Sequence, residues 1–161
     1  MKDKIEIRKY RPQDARDLAN IYYHTIHNIN IRDYSEEQIN AWAPESCLAL
    51  DGWKKKWKKL SPIVATINDQ IVGFAEFCDN GYIDCFYVHH IFQGKAVGSA
   101  LIREIEHRAL KKNISRIYAE VSITAKSFFL KNGFEVVKDQ LIKIRDVELR
   151  NFLMEKNIFH F

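Results

Sequence analysis

Between Pro62 and Lys112 the hydrophobic period of the chain changes once, and that change constrains the fold more than any other feature. Ile63, Val64, Ala65 and Ile67 lead into Asn68-Asp69-Gln70 and then Ile71 to Phe77, the pattern of two antiparallel strands around a tight turn. Asn80-Gly81 makes the next turn, and Tyr82 to His89 continues as a third strand of this run. The spacing then becomes helical: from Gly98 to about Lys112, Leu101, Ile102, Ile105 and Ala109 recur on one side. Hairpin-linked strands that feed a single strand-loop-helix unit predict an α+β domain with a largely antiparallel sheet flanked by helices.

The flanking segments fit that frame. Ile5 and Ile7 alternate with charge as in a strand, and Pro12 with Asp14 opens a helix carrying Leu18, Ile21, Tyr22 and Ile26. Ser35 followed three residues later by Gln38 has the form of a capping box and predicts a short helix ending near Pro44. Trp53, Trp57 and Leu60 share one face of an amphipathic segment, with Lys54, Lys55, Lys56, Lys58 and Lys59 expected on its solvated side. Ile114 to Val121 returns as a strand and Thr124 to Lys131 as a short helix. Phe134 to Ile144 and Val147 to Met154 form a closing hairpin around Arg145-Asp146. Residues 1–161 are expected to form one domain.

Composition narrows the function classes. A net charge of +4 favours an anionic partner without separating a nucleotide from a nucleic acid, and the short lysine run is a weak nucleic-acid signal. Cys47, Cys78 and Cys85 form no CxxC pair and leave an odd count, which suits reduced thiols. No apolar run approaches the roughly 20 residues of a membrane span, and Met1 to Tyr10 lacks a signal core, so a cytoplasmic protein is expected. His24 and His27 lack further ligands at suitable spacing, and no metal is expected. The apolar end Ile158-Phe159-His160-Phe161 would suit packing on its own sheet or on a second copy in a homodimer.

The loop Gln93-Gly94-Lys95-Ala96-Val97-Gly98 carries the clearest chemistry. A helix N-terminus leaves amides unpaired at the positive end of its dipole, so small residues before a helix let the backbone surround a phosphate. Gly94 and Gly98 clear space, Ala96 adds a methyl and is expected to stay at negative φ, and Lys95 brings a cation. No GxGxxG follows a strand and no GxxxxGK[ST] occurs, so neither standard nucleotide loop applies.

The loop resembles the signature of the GCN5-related N-acetyltransferase (GNAT) superfamily: Gln or Arg, two residues, Gly, any residue, then Gly or Ala. Val72-Gly73-Phe74, Asp84 to Val88 and Asn132-Gly133-Phe134 extend the resemblance over nearly the whole chain. Tyr34-Ser35, Ala41-Trp42-Ala43, Ala125 to Phe129 and Asn151-Phe152 bring it closest to small bacterial members of the YafP-like kind. The resemblance implies two splayed central strands holding acetyl-CoA as cosubstrate. Phe86, Tyr87, Val88 and His89 would lie along the pantetheine arm, and Gln93 to Ser99 would surround the pyrophosphate. Three positions depart from the pattern: Ala96 in the central glycine slot, Ser122 where an asparagine often contacts the cofactor, and Phe129 where many members carry a tyrosine.

Transfer to an amine needs a base. Asp84, mid-strand just before the cofactor segment, is the first candidate, although a carboxylate there also suits a strand-holding role. Glu76 and Glu120 are weaker alternatives. Tyr22, Tyr34 and Trp42 suit an aromatic acceptor wall, and equally the packing of amphipathic helices. The function implied is transfer of an acetyl group from acetyl-CoA to a primary amine, with a small molecule favoured as acceptor. The alternative is an acetyl-CoA-binding sensor or partner module with weak or no catalysis.

Overall fold

The computed structural model describes residues 4–158. Seven strands form one sheet in the order β1-β2-β3-β4-β5-β7-β6. They are β1 (Ile5–Lys9), β2 (Ile63–Ile67), β3 (Gln70–Phe77), β4 (Tyr82–Val88), β5 (Arg116–Ser122), β6 (Glu135–Ile144) and β7 (Val147–Asn157). Every neighbouring pair is antiparallel except β4 and β5, which run parallel. The helices are α1 (Ala15–Asn28), α2 (Glu36–Trp42), α3 (Leu50–Lys59), α4 (Val97–Lys111) and α5 (Lys126–Lys131).

Both faces of β2 and β3 are covered, which explains their nearly continuous apolar sequence. On one face α4 packs Val97, Leu101, Ile102 and Ile105 against Ala65, Val72, Ala75 and Ile117, with Phe129 of α5 in the same cluster. On the other, Leu18 and Ile21 of α1 and Trp57 of α3 meet Val64, Phe74 and Cys85. Alternation along a strand delivers one residue to each layer in turn.

The local predictions hold where turn and cap chemistry is explicit. Ser35 Oγ accepts from the Gln38 amide at 3.1 Å while Gln38 Oε1 accepts from the Ser35 amide at 2.8 Å, the reciprocal capping pair expected before α2. Asn68-Asp69 and Arg145-Asp146 all take positive φ, as two-residue hairpin turns require. Ile158 packs on the main core, while Phe159 to Phe161 lie outside the described residues.

Two irregularities in β4 create the site. Its pairing with β5 stops after Tyr82↔Tyr118 and Ile83↔Ala119, so beyond Ile83 the strands diverge. Against β3, the step from Ala75 to Phe77 faces the step from Phe86 to Ile83, which leaves one extra residue on β4 opposite Glu76. This bulge breaks the alternation. Ile83 and Phe86 both point to the α4 layer, whereas Asp84 reaches a lysine of α3 and Cys85 joins the α1 and α3 cluster.

Candidate active site

The diverging strands bound a cleft of about 390 Å³. On the α4 side it is lined by Phe86, Val97, Gly98, Phe128 and Phe129, and on the α1 side by Thr25, Asn30, Trp42, Asp84, Tyr87 and Glu120. Hydrogen bonding fixes which backbone groups are free. The His89 amide donates to Val72 O at 2.8 Å and therefore points to β3. Because successive residues of a strand alternate in direction, the polar backbone groups of Val88 and Phe86 point into the gap. The Val88 carbonyl is already used, accepting from Thr25 Oγ1 at 2.9 Å and from Gln93 Nε2 at 2.7 Å. Gln93 thus ties the loop back to the end of β4.

The loop itself curls its amides toward one place. Among the described residues nothing accepts from the N–H groups of Gly94 to Ser99, and the first amide of the helix to be paired is Ala100, bonded to Ala96 O at 3.1 Å. The curl needs left-handed steps at Gly94, φ 73°, and at Ala96, φ 67°. The expectation of negative φ at Ala96 is therefore wrong. This residue is the N-cap of α4, and turning successive amides inward places it in the left-handed region despite its methyl.

The charged group beneath the β4 bulge overturns a second expectation. Lys56 is not part of a solvated face. Its Nζ lies 2.8 Å from Glu76 Oε1 and 3.0 Å from Asp84 Oδ2. Glu76 has 0% exposure, and its Oε2 has no hydrogen-bond partner among the described residues, so the ammonium is its compensating charge. Burial by itself would lower the Lys56 ammonium; Cys85, Glu76 and Asp84 outweigh burial and hold it above the ordinary lysine value. Burial, with Glu76 beside it, pushes the Cys85 thiol far up, and burial also raises Cys47 and Cys78. Asp84 lines the cleft with a partly exposed side chain, and its Oδ1 has no partner among the described residues.

Two further polar groups face the cleft. Ser122 Oγ accepts from Asn30 Nδ2 at 3.3 Å and from the Ala125 amide at 3.1 Å, which leaves its hydroxyl proton to donate. Thr124 Oγ1 is buried in the wall without a partner among the described residues.

Comparison with known proteins agrees with this geometry. Residues 30–151 match the family model described as an acetyltransferase (GNAT) domain. The chain is 36% identical over 152 residues to YafP of Escherichia coli K12, an uncharacterized N-acetyltransferase, covering 94% of this chain and 95% of that protein. The chain belongs to the GNAT acetyltransferase family. A GCN5-related N-acetyltransferase from Rhodopseudomonas palustris superposes with a TM-score of 0.88 at 30% identity, over 98% of both chains. The PaiA N-acetyltransferase of Thermoplasma acidophilum, solved with coenzyme A, gives 0.74 at 25% identity, covering 96% of this chain and 99% of that one.

Within this GNAT fold, Phe86, Tyr87, Val88, Gln93, Gly94, Ala96, Val97, Gly98, Ser99, Ser122 and Phe129 all border the cleft. Lys95 is exposed beside it, and His89 faces a separate groove with Asp17, Asn20 and His24. Of the aromatic acceptor wall only Trp42 lines the cleft. Tyr34 instead ties three elements together, donating to Arg150 O at 2.6 Å and accepting from the Ile123 amide at 2.9 Å. Tyr22 packs on Trp53 and Tyr87. Glu76 lies outside the lining, shut behind Lys56. Lys56, Thr25, Asn30 and Phe128 were missed from sequence; only Thr25, polar on the apolar stripe of α1, left a signal there.

No helix among the described residues is long and apolar enough to cross a membrane. Among the same residues no cluster of His, Cys, Asp and Glu is placed to hold a metal ion.

Proposed function

We propose that the protein transfers the acetyl group of acetyl-CoA directly to a primary amine of a small molecule. One observation carries this reading: a single cleft joins the unpaired amides of Gly94 to Ser99 at one end to the free Oδ1 of Asp84 at the other. The loop amides suit a pyrophosphate, and the gap-facing backbone of Phe86 and Val88, with the orphaned Thr124 hydroxyl, suits the amide-bearing pantetheine arm. The PaiA neighbour, solved with coenzyme A, supports the same assignment.

Acetyl-CoA supplies an acyl group activated as a thioester. Asp84 takes the proton that the amine must lose as its C–N bond forms, directly or through a water, and Lys56 fixes the carboxylate by its other oxygen. The C–S bond breaks to release the thiolate of coenzyme A. Phe129, in the slot where similar proteins often carry a tyrosine, has no proton to give, so the thiolate takes its proton from water or from another hydroxyl of the cleft such as that of Tyr87. Direct transfer is favoured over an acetylated cysteine, because all three thiols are raised above their ordinary value and none lines the cleft. The free cysteines also support a reducing compartment such as the cytoplasm.

The test is a thiol-release assay across amine classes, run on wild type and Asp84→Asn over a pH series. The expected result is amine-dependent release and a loss of about a hundredfold or more at neutral pH in Asp84→Asn, partly recovered in alkaline buffer where free amine is plentiful. Binding of acetyl-CoA without release for any amine would point to a sensor. A stable Asp84→Asn with an unaltered pH–rate profile would remove Asp84 as the base.

A further inference from the structure

The charge of the cleft runs against that of the whole chain. The chain carries a net +4, yet among the residues that line the cleft there is no lysine, arginine or histidine, and the only ionised groups are Asp84 and Glu120. These two occupy equivalent places. Ile83 and Ala119 form the last rung between β4 and β5, so Asp84 and Glu120 are the first residues beyond it on either arm of the gap. Both face the α1 side: Asp84 reaches Lys56 of α3, and Glu120 alternates with Ala119 and Val121, which belong to the α4-side core.

Their electrostatic situations differ. Asp84 shares Lys56 with Glu76. Glu120 has no cation within ion-pair distance among the described residues, and two uncharged donors orient it instead: Tyr82 Oη at 3.5 Å from Oε1 and Gln140 Nε2 at 3.1 Å from Oε2. An oriented carboxylate without a counter-ion, in the wall of a substrate cleft, suits a cation brought by the substrate. Trp42 and Tyr87 line the same side and bring aromatic rings to the wall beside such a charge.

Resting on the amide-forming function proposed above, we infer that the acceptor is a short aliphatic diamine or polyamine. One amine is acetylated beside Asp84 while a second, still protonated, is held by Glu120. A carboxylate or phosphate near the reacting amine is disfavoured, since the nearest cation, Lys56, is already engaged by Glu76 and Asp84 and two carboxylates stand in the lining to repel it. Neighbouring strands lie about 4.8 Å apart and these arms diverge further, so a few methylenes between the two nitrogens match the span.

The experiment compares initial rates of thiol release with 1,4-diaminobutane, butylamine and 4-aminobutanoate, which share one chain length and differ in the far group. The expected order is diamine above monoamine in kcat/KM by about tenfold or more, with the amino acid lowest. In Glu120→Gln the diamine-to-monoamine ratio should fall toward one, through KM rather than kcat. Equal kcat/KM for the three amines, or a ratio unchanged in Glu120→Gln, overturns the inference while leaving acetyl transfer standing. Release with none of the three also overturns it, and the broader amine panel and the Asp84→Asn profile then judge the transferase reading separately.

Discussion

A Cβ on Gly98 would sit 2.8 Å from Cζ of Phe128, inside the space its ring already fills. The absence of a side chain there thus serves the packing of α5 on α4 as well as the approach of a phosphate. Gly98→Ala should force the ring aside, at about 1–3 kcal/mol, offset by up to about 1 kcal/mol of helix propensity. Removing the ring in Phe128→Ala should reverse the sign and make Gly98→Ala stabilising. Urea melts of the two single variants and the double variant check this, and a Gly98→Ala effect unchanged by Phe128→Ala would refute it.

Ala96 stands at a φ of 67°, where an L side chain costs roughly 1–2 kcal/mol. Ala96→Gly removes that strain and gives back about 0.4–1 kcal/mol in chain entropy, so the variant should be as stable as wild type or slightly more so. The loop keeps its shape, and acetyl-CoA affinity by calorimetry should be unchanged within threefold.

Lys56 should separate from the other lysines of α3. Lys56→Met leaves Glu76 as a buried charge without compensation and should cost about 3 kcal/mol, much of it restored by Glu76→Gln in the same chain. Lys55→Gln and Lys59→Gln, on the exposed face, should each stay within about 0.5 kcal/mol of wild type. Equal effects at all three lysines in denaturant melts would contradict the assignment.

Asp14 gives the fold an acid-sensitive joint. Burial would raise its carboxyl, but Arg8, gripping both oxygens at 2.7 and 3.0 Å, and the Arg11 amide at 2.8 Å hold it below the usual carboxylate range. A group depressed in the folded state stabilises above its unfolded pKa, near 4, and loses that contribution as pH falls through the folded value. Asp14→Asn should therefore cost roughly 1.5–3 kcal/mol at pH 7, a gap that narrows steadily below about pH 4. Urea unfolding of both proteins down that pH range measures it.

What was legible in the sequence was local. The Ser35 cap, the Asn68-Asp69 turn and the α4 stripe each depend on residues a few positions apart, and each formed as expected. Lys56 was not legible, because it looks like the four lysines around it and its partners come from strands that only the folded sheet brings near. The β4 bulge hides for a similar reason: one slipped residue in a seven-residue strand barely disturbs its alternation, yet it turns Asp84 toward α3. Tyr34 and Tyr22 resembled a binding wall because an aromatic stripe looks the same whether it faces a ligand or another helix.

Sheet order also sets when the site can exist. β5 forms one wall of the cleft, but its antiparallel partner is β7, which is synthesised after β6 and then inserts between β5 and β6. Until β7 has emerged, β5 meets the rest of the sheet only through its two parallel rungs with β4. A chain without Val147 to Asn157 would hold the phosphate loop and Asp84 yet lack the strand that fixes the opposite wall, so the ligand site is complete only once β7 has inserted.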